Sequence, residues 1–409
     1  MVWRYRLQCF GCRTHYPVRS TGFRCEKCGG LLEVRFDLSD GRKIPWRNRP
    51  LSVWKYRELL PVDNDRFITS LGEGGTGLHR CQRFGRELGL RNLYVKNEGE
   101  NPTGSFKDRG MTVAISKARE LGKKKVICAS TGNTAASLAA YSARAGLECL
   151  VFMPAGKVAE GKMVQVVMHG ARIVQVKGDF DQALDAVVRL SSERRDLYLM
   201  NSLNPFRLEG QKTLAFEVFD QLSEIPDVVI LPVGNGGNIS ATWKGFNELA
   251  QLGQARRRPK MIGVQAVKAA PIARAVKGKQ SHIRPVSKPE TIATAIRIGS
   301  PVNWSKVLRA IKDSDGTAET VTDNEILGAQ RELAQKEGIF VEPASAASIA
   351  GLIKLVESGM VDRSDVVVCV ATGHGLKDPS VAERIPGPLG YSLDVSDATK
   401  LDTLLERIL

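Results

Sequence analysis

The residues best placed to do chemistry lie in Asn97–Met111, which reads Asn-Glu-Gly-Glu-Asn-Pro-Thr-Gly-Ser-Phe-Lys-Asp-Arg-Gly-Met. Asn-Pro and Thr-Gly form turns. Met111, Ala114, Ile115 and Ala118 then follow at helical spacing. Lys107 therefore stands where a tight loop enters a helix. That end of a helix carries partial positive charge, so an ammonium is disfavoured there. A lysine that loses its proton can form a Schiff base with a carbonyl. The plain alternative is a solvated surface lysine, and the turn chemistry around Lys107 argues against it.

Other stretches could serve such an amine. The apolar run Asp227–Leu231 leads into Gly234-Asn-Gly-Gly-Asn238, with a helical pattern to Leu249 behind it. A strand, a glycine loop and a helix together cradle phosphate on backbone N–H groups. The spacing is neither the dinucleotide fingerprint nor a Walker loop, so a cofactor with one terminal phosphate suits it. Ser130-Thr-Gly-Asn-Thr134 turns from a strand directly into a helix, a ready anion site. The apolar strand Asp365–Ala371 runs into Thr372-Gly-His-Gly-Leu-Lys-Asp378. Ligands bind beyond the carboxyl ends of strands in open α/β sheets, where Thr372 falls. A glycine-rich loop, Ser70–Leu78, is a turn of weaker meaning.

The amino-terminal end carries separate chemistry. Cys9-x2-Cys12 and Cys25-x2-Cys28 have the spacing of two knuckles that set four thiolates around Zn2+. Four sulfur ligands leave no open position, so such a metal is structural. Four reduced thiols, a rubredoxin-like iron site and competition from His15 are the alternatives. Of the four remaining cysteines, Cys128, Cys149 and Cys369 lie in or beside apolar runs, as buried thiols do.

Stepping from strand to helix after Lys123 are strands near 126–129, 149–153, 171–176, 198–200, 227–231, 261–266 and 365–371. Helices are expected over 135–144, 164–169, 180–191, 213–221, 291–297 and 325–338, with another starting at Glu342. The fold class is α/β: two open, twisted, mostly parallel-sheet subdomains with a cofactor between them, preceded by a small four-cysteine zinc-ribbon-like module. The expected division is the module at 1–40, a linker at 41–61, a large subdomain from 62–96 and 201–390, a small inserted subdomain at 97–200 and a carboxyl-terminal packing helix at 391–409.

The chain of 409 residues is 43% apolar and 25% charged, ordinary for a globular protein. Its net charge of +15 admits anionic partners. Aromatic-and-basic patches of the RNA-binding kind are missing, so anionic metabolites are favoured over nucleic acid. With no apolar run of spanning length, no membrane contact and a cytoplasmic location are expected, as is a homodimer.

Taken together, a Schiff-base lysine, a loop for one phosphate, a polar turn and a hydroxyl at a strand end describe a pyridoxal-phosphate site. Asn101-Pro-Thr-Gly-Ser-Phe-Lys107-Asp-Arg109, Ser130–Thr134, Gly234–Asn238 and Thr372–Pro379 closely resemble the threonine synthase family, of the tryptophan-synthase-β-like fold. Asn201–Lys212 and Thr291–Trp304 also look like that family. One departure is Gly77, where the family commonly has proline after the threonine that is Thr76 here.

The resemblance implies conversion of O-phospho-L-homoserine and water to L-threonine and phosphate, by γ-elimination and β-addition of water. The alternatives are a threonine or serine dehydratase, or a cysteate-synthase-like β-replacement enzyme. It implies that Lys107 holds pyridoxal 5'-phosphate, that Phe106 packs its ring, and that Asn133 meets its 3-hydroxyl. Gly234, Asn235, Gly236, Gly237 and Asn238 would hold its phosphate, and Thr372 would meet its pyridine nitrogen. Ser130, Thr131 and Thr134 are candidates for the substrate carboxylate; Thr76, Lys96, Thr103, Asn204 and Arg207 are candidates for its phosphate. Asp108 and Arg109 are expected to pair with each other.

Overall fold

The structure is a computed structural model that describes residues 3–38, 46, 48–155, 160–177 and 180–379. The expected carboxyl-terminal helix at 391–409 and most of the linker's first residues lie outside the described residues.

The chain begins with a three-stranded antiparallel sheet. Strand β1 (Tyr5–Cys9) pairs with both β2 (His15–Tyr16) and β3 (Leu32–Phe36). The turn after β1 is tight: Cys9 N–H donates to Thr14 O, and Arg13 takes a left-handed φ of 61°. Leu7 and Val34 bury their side chains against the main body, in the same core cluster as Phe206.

Next come β4 (Leu78–Arg80) and β5 (Asn92–Asn97), which belong to a large sheet. The chain then leaves that sheet to build a second one from β6 (Lys125–Ala129), β7 (Glu148–Pro154), β8 (Arg172–Val176) and β9 (Leu197–Leu199). It returns with β10 (Val228–Pro232), β11 (Lys260–Ala266), β12 (Thr317–Val321) and β13 (Val366–Ala371). The large sheet runs β12-β11-β10-β13-β5-β4 and the small one β8-β7-β6-β9. Among the described residues only the β4–β5 pairing is antiparallel in these two sheets, and the others are parallel. Parallel sheets need cover on both faces, which is why β10 reads Val-Val-Ile-Leu-Pro with every residue buried.

Small residues decide how closely the layers approach. The helix Pro343–Glu357 covers the large sheet with Ala344, Ala346, Ala347 and Ala350. A Cβ on Gly351 of that helix would lie 2.5 Å from Val264 Cγ2. A tighter contact joins the helices Lys107–Glu120 and Pro205–Gln211. A Cβ on Gly210 would lie 1.7 Å from the carbonyl oxygen of Arg109, so the backbones touch with no side chain between them.

Three expectations need correction or addition. The helix expected over 291–297 is only a 3-10 turn, Thr294–Ile296. Side chains capture its backbone: Ile292 N–H donates to the distant Asp323 Oδ2, and Ala293 N–H to the local Thr291 Oγ1. The helices Pro205–Gln211 and Trp304–Asp313 and strand β12 were not expected from the pattern. The end of the linker is a 3-10 helix, Val53–Leu59, whose Tyr56 packs between Trp46 and Phe216.

Candidate active site

The loops singled out by composition leave the carboxyl ends of parallel strands. The Lys107 loop follows β5, the Ser130 turn follows β6, Asn201–Asn204 follows β9, Gly234–Asn238 follows β10, and Thr372 follows β13. Parallel order alone thus gathers distant sequence at one edge.

Lys107 is the first residue of its helix, and Nζ lies 3.8 Å from the centre of the Phe106 ring. Among the described residues the amine makes no hydrogen bond. Burial, and then the nearby Arg207 guanidinium, lower its pKa to about 7 against the opposing pull of Glu342. The amine is thereby available in its neutral form near neutral pH. The loop before it is held from below by Asp108, which accepts from Thr103 N–H at 2.7 Å, Thr103 Oγ1 at 2.6 Å and Ser137 Oγ at 2.6 Å. Burial pushes the Asp108 carboxyl up to about 6.

Asp108 and Arg109 do not pair with each other. Arg109 bridges two carboxylates, Glu98 (Nε to Oε2, 2.6 Å) and Glu217 (Nη1 to Oε1, 2.7 Å), and all three side chains are fully buried. Lys96 joins the group through Glu217 at 2.9 Å, and Thr76 Oγ1 donates to Glu98 at 2.8 Å. Two buried cations facing two buried anions compensate one another. The network ties β5, the lysine helix and the helix Thr213–Leu222 together, and Gly75 N–H of the glycine-rich loop donates into it through Glu217.

The glycine loop has the shape of a phosphate cradle. Gly236 takes a φ of 79°, and a Cβ there would lie 2.4 Å from Val307 Cγ2. Gly237 opens the helix Gly237–Gln251, whose first N–H groups have no partner within the helix. Around it, Asn238 Oδ1 and Nδ2, Gln211 Oε1 and Asn303 Oδ1 are buried without a hydrogen-bond partner. A Cβ on Gly237 would lie 3.5 Å from Gln211 Oε1 and 3.8 Å from Asn303 Nδ2, which places both amides at the loop. Among the unpaired atoms Asn238 Nδ2 is a donor, and a phosphate on this loop would give it an acceptor beside the helix's unpaired first N–H groups. The residues present fit a phosphorylated cofactor held by Lys107.

The other wall is polar. Ser130 Oγ accepts from Gly132 N–H at 3.2 Å and Ala135 N–H at 3.3 Å, and Thr131 and Thr134 stay partly exposed on the same turn. Asn133 Nδ2 lies 3.0 Å from both carboxylate oxygens of Glu342. Thr372 Oγ1 lies 3.0 Å from Ser345 Oγ. A cavity of about 370 Å3 opens here, lined by Thr103 and Gly104 of the lysine loop, by Asn133 and by His374.

The residues considered for the substrate phosphate divide into two groups. Thr76, Lys96 and Thr103 are engaged as described, and Asn204 caps the helix Pro205–Gln211 by accepting from Phe206 N–H at 3.0 Å. Arg207 differs. It is 2% exposed, Nη1 donates to Met200 O at 2.9 Å, and Nε has no partner. Among the described residues no carboxylate pairs with it, and burial lowers its pKa to about 10. The helices that carry the two residues touch at Gly210, and the Arg207 charge acts on the Lys107 amine.

Sequence reasoning missed Glu342, Ser345, Gln211 and Asn303 as site residues. Gln211 and Asn303 lie inside stretches already singled out; Glu342 carried a weak signal, a carboxylate just before the proline that starts a buried helix.

The four cysteines converge at the other end of the chain, with the Sγ atoms of Cys9, Cys12, Cys25 and Cys28 all within 4.8 Å of one another. Cys9 and Cys28 are 3.4 Å apart and Cys12 and Cys25 3.5 Å. A Zn2+ tetrahedron with bonds of about 2.3 Å would space its sulfurs about 3.8 Å apart, so the set could hold such an ion. His15 bonds Gln8 instead and is outside the cluster.

Residues 69–373 match the family model described as pyridoxal-phosphate dependent enzyme. The chain is 57% identical over 382 residues to a threonine synthase of Methanocaldococcus jannaschii, covering 92% of this chain and 94% of that one. It is 53% identical over 380 residues to a threonine synthase of Methanosarcina acetivorans, covering 92% and 93%. Among solved structures it is similar to processed threonine deaminase isoform 2 of Solanum lycopersicum, with a TM-score of 0.63, 24% identity and coverage of 81% and 83%. Maize serine racemase gives a TM-score of 0.64 at 20% identity, covering 81% and 92%. The two structural likenesses carry the fold alone, while the two close relatives carry more. The chain belongs to the pyridoxal-phosphate-dependent enzyme family and, within it, to the threonine synthases.

Proposed function

We propose that this protein converts O-phospho-L-homoserine and water to L-threonine and phosphate. The observation that carries the reading is Arg207, a buried guanidinium within electrostatic range of Lys107, with no carboxylate partner among the described residues and an unpaired Nε. The glycine loop serves one phosphate, and Arg207 is a separate place for a second anion. A dehydratase acting on threonine or serine has no phosphate to put there.

The bound cofactor supplies the electron sink. Lys107 holds it covalently and, when released, carries protons between adjacent carbons of the substrate; its depressed pKa suits an amine that must both take and return a proton. Gly234–Asn238 would hold its phosphate on backbone N–H groups and Asn238 Nδ2, with Gln211 and Asn303 at the edge of that loop, and Phe106 would pack against its ring. Asn133, steadied by Glu342, would meet the 3-hydroxyl, and Thr372 would meet the ring nitrogen. The Ser130–Thr134 turn holds the substrate carboxylate on hydroxyls and N–H groups at a helix N-terminus. Arg207 holds the substrate phosphate before and while it leaves. Thr76, Lys96, Thr103 and Asn204 act one step back, by fixing the loops and helices that carry these groups.

The four cysteines bind one structural Zn2+ in this reading, since their thiols close the coordination sphere. Among the described residues no helix is long and apolar enough to cross a membrane. The test is product analysis with three substrates. O-Phosphohomoserine should yield phosphate and threonine, while threonine and serine should yield little ammonia. Ammonia as the main product, with no phosphate release, would refute the assignment in favour of a dehydratase.

A further inference from the structure

The four-cysteine module meets the main body beside the helices that build the phosphate loop. Its strand β3 is an edge strand, so the carbonyls on its free side have no strand partner. Two lysines take them. Lys306 Nζ donates to Leu32 O at 3.2 Å, and Lys244 Nζ donates to Val34 O. Lys306 is 7% exposed and, among the described residues, forms no ion pair with a carboxylate. Lys244 also pairs with Glu209 and Glu248.

Each lysine stands on a helix that shapes the glycine loop 234–238. Lys244 belongs to Gly237–Gln251, the helix into which that loop opens. Lys306 belongs to Trp304–Asp313, whose cap residue Asn303 donates its N–H to Asn235 O at 3.0 Å. Val302 N–H reaches Asn235 Oδ1 at 3.4 Å. Val307, next to Lys306, is the side chain that a Cβ on Gly236 would meet.

The same strand is tied to the cysteines. Leu32 lies opposite Cys9 in the register and packs with Cys9 and Cys25. Cys25 N–H donates to Gly30 O at 2.7 Å, and a Cβ on Gly30 would lie 3.1 Å from Cys9 Sγ and 3.3 Å from Cys28 Sγ. Metal coordination orders the loops that carry its ligands. An ion on these four thiolates therefore fixes β3, and β3 in turn fixes two helices through two lysines.

We propose that Lys306 and Lys244 are positioning residues that couple the four-cysteine module to the phosphate loop, so that zinc on the cysteines tightens binding of the phosphorylated cofactor. The proposal rests on the readings of a zinc at the cysteines and a cofactor phosphate at the glycine loop. Coupling between two sites is reciprocal, so the cofactor tightens zinc by the same factor. A module that only stabilised the fold would raise the melting temperature and leave both affinities of the folded chain unchanged.

The test uses the full-length chain. The dissociation constant of pyridoxal 5'-phosphate is read from the absorbance of the bound cofactor, with zinc present and after chelation. Zinc affinity is read by competition with a chromophoric chelator, with and without cofactor. Loss of either ligand should weaken the other about tenfold. In Lys306→Met both factors should shrink to about threefold or less, with zinc still bound. If the chelated chain unfolds, the zinc-loaded variant decides the matter, and it should bind cofactor at least about threefold more weakly than the wild type. Cofactor affinity indifferent to zinc in the folded wild type overturns the proposal. So does the full tenfold coupling in Lys306→Met, or, where chelation unfolds the chain, wild-type cofactor affinity in that variant. A wild type that binds cofactor but no zinc overturns the zinc reading with the proposal; one that binds zinc but no cofactor overturns the cofactor reading with it.

Discussion

Arg207→Met should separate stability from function. The side chain is buried, keeps one backbone hydrogen bond, and carries a charge that no described carboxylate compensates. Removing it forfeits the bond to Met200 O, about 1 kcal/mol, and relieves a desolvated cation. The two effects oppose, so the melting free energy should stay within about 1 kcal/mol of the wild type or rise. Activity should behave differently. One or two charge-assisted bonds to a phosphate are worth about 2–4 kcal/mol, which is about 30- to 700-fold in kcat/KM. Arg207 also helps depress the Lys107 pKa, so that amine should titrate higher in the variant apoprotein. The assays are urea unfolding of the apoprotein and phosphate release under subsaturating substrate. A variant destabilised by more than about 3 kcal/mol that keeps kcat/KM within fivefold would show Arg207 to be structural, and the reasoning wrong.

Other outcomes follow from the same structure. Gly210→Ala should destabilise the protein by about 3 kcal/mol in urea unfolding, because the added Cβ meets the Arg109 carbonyl oxygen at 1.7 Å; an unchanged midpoint would contradict the glycine contact. For Lys107 the folded pKa of about 7 lies below its ordinary 10.5, so between those values the unfolded chain binds more protons and folded-state stability rises with pH. Wild-type apoprotein should therefore gain stability relative to Lys107→Met from pH 7 to 10.5 and run parallel to it below pH 7; parallel curves throughout would mean the amine is not perturbed. Elemental analysis should find one zinc per chain, absent when Cys9 and Cys12 are both changed to serine. A metal-free wild type purified without chelator would end the zinc assignment.

Much of the site was legible because its parts are local. Loops that must turn tightly use Gly, Pro, Asn and Ser, and each of these loops stands beside a strand or helix whose period shows in the sequence. The strands β6, β10 and β13 are apolar runs because parallel sheets are covered on both faces. What sequence hid is pairing across distance. The partners of Arg109 are Glu98 and Glu217, the second more than a hundred residues away, and nothing in Asp108-Arg109 discloses that the neighbours face apart on one helix. Glu342 and Ser345 sit at the end of an ordinary alanine-rich helix and become site residues only because β13 brings Thr372 and Gly373 against that end. The segment 291–297 misled because its first backbone N–H groups donate to side chains, one of them Asp323 from far along the chain, which no local pattern discloses.

The central claim is that carbon–oxygen cleavage and addition of water occur at Lys107 on a phosphorylated substrate. It is tested most directly by turnover of O-phosphohomoserine in 18O-labelled water, with both products analysed by mass spectrometry. The account predicts label in the hydroxyl of threonine and none in the phosphate released, and no turnover by Lys107→Ala. Label in the phosphate with homoserine as the other product, or ammonia with no phosphate, would contradict it.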